Sequence, residues 1–292
     1  MATPSAAAKL LITRIGPSDR PRPVVDVIAE LAIAEGWETQ ADAAREWAER
    51  TQRSVMAYLR RYLGSMNEVG RPSAFVFNSS SEYLIQGAAF VEPRDDDSIG
   101  EAKRRVSRLG SYVDALMALD PPAFEALCAG VPSALGVSNP AITARSRDEG
   151  VDFYGELRFD SILLRQDAFP TIHRQMKIWL VGQAKRYRTG QVSTPDLREL
   201  VGSVELARAH ALAEPSGSPM GMRIRVCDPV ACLFFTTGTI SSAGWAMSDR
   251  AGIIAMDGSM IASFLAEREI GVKSGCVDAL QLGSWIDEYR RV

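Results

Sequence analysis

A mixed α/β sheet with helices on its faces, preceded by a small helical module ending in a hairpin, is the architecture this sequence predicts. Three observations carry the expectation. From about Ala141 onward, apolar runs of strand length alternate with helical periodicity, the pattern of a sheet whose strands are joined by helices. Ahead of them, residues 24–92 read as three helices followed by a hairpin. Between the two parts, Pro93-Arg94-Asp95-Asp96-Asp97-Ser98 is a proline-started acidic stretch of the kind that links domains.

Taken in order, residues 1–23 are small, proline-bearing and unpatterned, and are expected to form a mobile tail. Val24, Val27, Ile28, Leu31 and Ala32 draw a helical stripe that stops near Gly36. Thr39 offers an N-cap for a second helix and Ser54 for a third, which ends near Gly64. Residues 73–91 then read as two strands around Asn78-Ser79-Ser80-Ser81. Three helices and a hairpin is the order of a winged helix, whose third helix enters a major groove. That helix would carry Arg53, Arg60 and Arg61, with Tyr58 among them. A dimerisation module with those arginines on a solvated face is the competing reading of 24–92.

Residues 93–105 are expected to be the linker and 106–292 the second domain. A helix near 100–118 leads to Asp120-Pro121-Pro122, and another begins at Ala123 with Phe124, Leu127, Cys128 and Val131 on one side. Pro132 falls where that helix should still run, so a kink or early break is expected. Strands are expected at 151–159, 176–184, 230–236 and 252–256, helices at 194–209, 241–248 and 258–268, and a loop at 211–225.

At 292 residues the chain is long enough for two domains. Its 46% hydrophobic and 24% charged content is globular. The net charge of −3 and a pI near 5.6 argue against a protein that coats nucleic acid, so any DNA contact must come from local patches. Lys185-Arg186-Tyr187-Arg188 is one. Cys128, Cys227, Cys232 and Cys276 have no CxxC spacing. With no disulfide framework, signal peptide or membrane span, a cytoplasmic protein is expected.

The chemistry is concentrated between residues 145 and 188. Asp152 ends one apolar run, and Gln183-Ala184-Lys185 ends another. An aspartate is a hard oxygen ligand, the Ala184 carbonyl is a second, and an ammonium beside the ion can hold or polarise a water. Those are the needs of a metal-dependent phosphodiesterase. With only His173 and His210 in the chain, a histidine-based metal site or HNH-type nuclease is excluded on inventory. His173 is read as a surface residue, Asp148 as a turn former and Thr236-Thr237 as turn or phosphate-contacting residues.

Five blocks in order, Asp148-Glu149-Gly150-Val151-Asp152, Gln183-Ala184-Lys185-Arg186-Tyr187, Leu197-Arg198-Glu199-Leu200-Val201-Gly202, Phe235-Thr236-Thr237 and Met256-Asp257-Gly258, resemble the Mrr-like restriction endonuclease family. That family belongs to the PD-(D/E)xK nuclease superfamily, and the likeness spans roughly residues 120–272, including the helix opening at Phe124-Glu125. It implies a restriction-endonuclease-like fold, double-stranded DNA as substrate and Mg²⁺ as cofactor, with Mn²⁺ as a substitute. The position two before the lysine is Glu or Gln in the family, and here it is Gln183, a neutral and weaker ligand for a hard cation. The missing charge invites another acid, with Glu125 preferred to Glu156. The implied catalytic set is Asp152, Gln183, Lys185 and Glu125; Arg186, Arg188, Arg53, Arg60 and Arg61 are the expected DNA contacts.

From Asp152 to Gln183 is 31 positions, longer than is usual for the family's hairpin, so residues 160–175 read as an insertion. The function so implied is a DNA endonuclease in restriction or another phage-defence role. It would work as a homodimer or larger homo-oligomer, with a defence-system partner in reach. Two alternatives stand: a nuclease-fold binding or regulatory protein without turnover, and an effector switched on only by a partner or signal molecule.

Overall fold

The computed structural model describes residues 2–143, 150–158, 176–187, 190–213, 222, 224–225 and 227–290. The chain divides into two units, Met1–Gly110 and Ser111–Val292.

The first unit opens with a helix where a tail was expected. Helix α1 (Pro4–Arg14) starts with proline in its first turn, and the Thr3 hydroxyl caps it by accepting from Ala6 N at 3.1 Å. Its buried face is Ala7, Ala8 and Leu11, mostly methyl groups, which give a weak periodic signal yet let the helix seat closely on its neighbours. Helix α2 (Val24–Ala34) buries Val24, Ile28, Leu31 and Ala32 as the stripe predicts.

The next two expected helices are one, α3 (Ala41–Glu68), 28 residues long. Ala44, Ala48, Val55, Met56 and Leu59 continue a single buried stripe through the polar Thr51–Ser54 stretch. The Thr51 hydroxyl donates to the Trp47 carbonyl at 2.7 Å instead of breaking the helix. Strands β1 (Arg22–Pro23), β2 (Phe75–Phe77) and β3 (Leu84–Gly87) form an antiparallel sheet in the order β1-β3-β2.

The acidic stretch expected to be a linker begins helix α4 (Asp97–Ser107). Asp96 caps it by accepting from Ile99 N at 2.8 Å, the arrangement that favours carboxylates at a helix N-terminus. Lys103 of α4 pairs with Asp95 at 2.8 Å and Glu92 at 3.5 Å. Glu92 in turn accepts from Asn78 at 3.0 Å and Gln86 at 2.9 Å, so a half-buried polar network ties the hairpin to this helix. The helix expected at 100–118 is therefore two, because α4 ends before α5 (Leu109–Ala118) begins.

The second unit starts its core with α6 (Pro121–Ala134), capped by Asp120 accepting from Ala123 N at 2.7 Å. The helix passes through Pro132 and stops two residues later, at Ala134. Strands β4 (Ser138–Ile142), β5 (Phe153–Arg158), β6 (Lys177–Lys185), β8 (Val230–Thr236) and β10 (Ile254–Met256) make a five-stranded sheet in the order β10-β8-β6-β5-β4; β7 (Gln191–Val192) pairs with β9 (Thr239–Ile240) outside it. β4, β5 and β6 pair antiparallel, while β6, β8 and β10 are parallel, so the sheet is mixed as expected.

Helices α7 (Thr194–Ala213) and α8 (Ser242–Ala251) cover one face, where Leu197, Leu200, Val204 and Ala207 pack with Val181, Trp179 and Phe234. On the other side α6 packs against β4, β5 and β6, and the C-terminal helix α10 (Ala279–Arg290) packs on α6. Helix α9 (Gly258–Glu267) follows β10, capped by Asp257. A two-stranded hairpin, β11 (Val272–Lys273) and β12 (Cys276–Val277), leads into α10. The expected insertion at 160–175, most of the 211–225 loop, Asp148, His173 and Arg188 lie outside the described residues. No helix among the described residues is long and apolar enough to cross a membrane.

Candidate active site

β5 and β6 pair from Phe153 opposite Gly182 to Arg158 opposite Lys177. Glycine is required at 182 because a Cβ there would stand 2.1 Å from Cζ of Phe153. The Phe153 ring stacks on Phe235 of β8 at 5.6 Å and holds the start of β5 close against the end of β6.

Asp152, one residue ahead of β5, is fixed there by its own backbone and side chain. Its N–H donates to the Gly182 carbonyl at 2.9 Å, and its carbonyl accepts from Thr143 N at 2.9 Å. Its Oδ2 accepts from Ala184 N at 2.6 Å, a charge-assisted bond. Bonded to residues 182 and 184, the half-buried aspartate stands opposite Gln183.

Gln183 is 1% exposed, and its Oε1 has no hydrogen-bond partner among the described residues. A buried acceptor left unsatisfied costs about 1–3 kcal/mol, so such groups are rare and need a reason. Strand alternation puts Gln183 and Lys185 on the face of Val181, under α7. There Lys185 Nζ donates to Glu199 Oε2 of α7 at 3.4 Å.

The ends of these elements are cross-tied. Thr237 Oγ1 accepts from Tyr187 N at 3.0 Å and donates to Tyr187 O at 2.9 Å, while Thr236 Oγ1 accepts from Gly238 N at 3.0 Å. Both threonines thus serve the turn. The Tyr187 hydroxyl donates to Asp196 at 3.3 Å, and burial followed by the Asp196 charge raises its pKa, so it stays protonated.

Glu125 lies on α6, half-buried, three residues before Cys128. The Cys128 thiol is pushed up first by burial, then by the negative charge of Asp152 and then by that of Glu125. Both carboxylates therefore stand close enough to act on one thiol, which is kept protonated and unreactive. Glu156 is elsewhere: it pairs with Lys177 at 2.6 Å, at the other end of the strands.

The available donors are all oxygens: the Asp152 carboxylate, the Gln183 amide, the Ala184 carbonyl and, from α6, Glu125. Among the described residues no three His, Cys, Asp or Glu side chains converge, so an ion held by this set would rely on neutral oxygens beside one or two carboxylates. A hard cation that keeps several waters and takes one or two carboxylates fits it, and the unmatched Gln183 oxygen fits it best.

The expected DNA contacts divide. Arg186 Nη2 donates to the Met117 carbonyl at 3.0 Å, so this half-buried guanidinium fastens α5 to the end of β6. In the first unit Arg60 pairs with Glu82 at 2.6 Å and lies over Phe77, while Arg53 and Arg61 are exposed on α3. The resemblance puts Arg198-Glu199 on a helix that crosses the site and approaches the phosphates; the contact of Glu199 with Lys185, 14 positions away, is seen only once α7 returns across the sheet.

A family model described as a restriction endonuclease, the catalytic domain of the Mrr type, matches residues 116–213. Among solved structures, the MspJI restriction endonuclease in complex with a 27-mer oligonucleotide is 18% identical with a TM-score of 0.40, the match covering 68% of this chain and 40% of that one. The DNA modification-dependent restriction endonuclease AspBHI is 14% identical with a TM-score of 0.41, the match covering 63% of this chain and 40% of that one. The chain thus spans about 40% of the length of these structures. No curated protein matches it. The segment 116–213, which holds Asp152, Gln183, Lys185 and Glu125, is thus similar to the catalytic domain of Mrr-type restriction endonucleases.

Proposed function

We propose that the protein is a Mg²⁺-dependent DNA endonuclease acting in restriction of foreign or modified DNA. The observation that carries the reading is the pairing of Asp152, held by Ala184 N, with a buried Gln183 oxygen that nothing in the described chain satisfies. Asp152, Gln183, the Ala184 carbonyl and Glu125 would hold the ion, with Mn²⁺ as a substitute. Bound there, Mg²⁺ supplies a Lewis acid and a water of lowered pKa.

The chain's own work is positional and electrostatic. The Ala184 N–H holds the Asp152 carboxylate turned to its place. Lys185, two residues from Gln183 on one face, brings a positive charge to the attacking water and the phosphate on which charge develops. Cys128, buried and protonated, takes no part. One such centre cuts one strand, so duplex cleavage calls for a homodimer or larger assembly.

The first unit is read as the targeting module. Its order helix, strand, helix, helix, strand, strand, with β1 paired to β3, is compatible with a winged helix, and α3 presents Arg53 and Arg61. Arg188 is retained as a backbone contact.

A second reading is favoured by Gln183 itself. Its neutral amide leaves fewer charges for the ion than a carboxylate would, as in a nuclease fold that binds DNA without cutting it. Supercoiled plasmid incubated with wild type and Lys185→Ala, with and without Mg²⁺, decides between them. Mg²⁺-dependent nicking by wild type, reduced about 10²–10³-fold in Lys185→Ala, is expected. Equal nicking by both would sink the assignment, and plasmid bound but uncut by wild type would favour the second reading.

A further inference from the structure

We infer that Glu199 of α7 is the positioning residue for Lys185, restoring beside the ammonium the negative charge that Gln183 does not carry. The inference rests on the nuclease reading above and concerns how the lysine is aimed. Two independent contacts place Glu199. Its Oε2 accepts from Lys185 Nζ at 3.4 Å. Its stem also packs on the turn that leads into Asp152: a Cβ on Gly150 would stand 3.1 Å from Glu199 Cγ and 2.8 Å from Ser203 Oγ. Gly150 has φ +78°, so a side chain there would be strained as well as crowded. One side chain therefore touches both halves of the site, the approach to the aspartate and the tip of the lysine.

The helix that presents it is itself anchored. Asp196, one turn earlier on α7, accepts from Tyr187, two residues beyond Lys185, and from Ser193 N at 2.9 Å. Within that frame Glu199 is the anionic partner of Lys185 among the described residues, the neighbouring Gln183 being an amide. An exposed ion pair of this kind adds little stability. Its value lies in orientation, since a charge misplaced by about an ångström forfeits much of its effect on a transition state.

Glu199→Gln, which keeps the shape and removes the charge, tests this with two readouts. In metal-free protein, acetylation of Lys185 by an amine-reactive ester, followed by peptide mass spectrometry, is expected to speed up severalfold as the ammonium loses its partner. In Mg²⁺, kcat for plasmid nicking is expected to fall about 10-fold or more with KM and melting temperature unchanged. Glu199→Asp, shorter but charged, should fall between. Unchanged acetylation overturns the pairing. Faster acetylation with wild-type kcat overturns the positioning role while the nuclease reading stands. If Lys185→Ala nicks as fast as wild type, the nuclease reading itself fails and the positioning role with it, a signature that does not involve Glu199.

Discussion

The two ends of β6 carry similar residues and put them to opposite uses. At its start, Lys177 pairs with Glu156 at 2.6 Å and approaches Asp228 at 3.7 Å. Asp228 is almost fully buried and accepts from Trp179 Nε1 at 3.2 Å, from Arg225 N at 3.1 Å and from Arg225 Nε at 2.8 Å. Burial alone would raise its pKa, but the Arg225 side chain, the Arg225 N–H, Trp179 and Lys177 outweigh it and bring the group to about 2. Every charge there is answered within the protein. At the end of the same strand, Asp152, Lys185 and Glu199 supply the same residue types, yet Gln183 keeps a buried oxygen with no partner among the described residues. A polar cluster that closes on itself serves as scaffold, and the open acceptor at the other end is the atom the proposed ion would satisfy.

That contrast is breakable, and the largest expected effect is at the open end. Asp152→Asn keeps an oxygen for the Ala184 N–H but removes the charge, so nicking should drop at least about 10³-fold with the melting temperature nearly unchanged. A plasmid assay beside a thermal melt checks it; a variant that keeps more than a tenth of the activity would contradict the role of Asp152.

The closed end should behave in reverse. The folded pKa of Asp228, about 2, lies below its ordinary 3.8, so its contribution is present above pH 3.8 and is lost as the pH falls through about 2. The shift corresponds to about 2 kcal/mol at neutral pH. Asp228→Asn should therefore lower the melting temperature by about 4–8 °C at pH 7, and the two curves should converge near pH 2. Specific activity of the folded variant should stay at the wild-type level.

A smaller effect of opposite sign sharpens the comparison. Gln183→Met removes the unsatisfied oxygen at similar volume, and should stabilise the protein by about 1 kcal/mol while weakening Mg²⁺ binding and cleavage. Denaturant unfolding without metal, set beside a Mg²⁺ titration, reads both. Destabilisation with unaltered metal affinity would show that the oxygen is satisfied in solution. The smallest effect belongs to the first unit: Arg53→Ala should weaken DNA binding a few-fold and lower the salt dependence by about one unit of slope, without touching chemistry. Binding isotherms at several salt concentrations measure it.

The legibility of these regions in the sequence follows the range of the forces that shape them. Gln183-Ala184-Lys185 is visible because it ends an apolar strand, and Asp152 because it stands at the edge of an apolar stretch, at the head of β5 in the structure, a local signal in both cases. The strands β5, β6 and β8 and helix α7 are visible for the same reason. Helix α1 was hidden because its buried face is mostly alanine, and its stability comes from the neighbours it packs on. Asp95-Asp96-Asp97 reads as solvated linker until Asp96 is seen to cap α4 and Asp95 to hold Lys103. β4 was missed because Ser138-Asn139-Pro140 has no strand pattern, and an edge position is where a sheet tolerates proline. Arg186 sits in a basic patch by sequence, yet folding hands its guanidinium to the Met117 carbonyl. Glu199 and Gly150 stand in the blocks that carry the resemblance, but their contact with one another is seen only when α7 returns across the sheet.

The measurement that bears most directly on the central claim is Mg²⁺-dependent nicking by Asp152→Asn and Asp228→Asn, assayed side by side and normalised to folded protein. The account predicts that the first is folded and inactive, and that the second is less stable and fully active per folded molecule. Equal activity in both, or loss of activity only at Asp228, would contradict it.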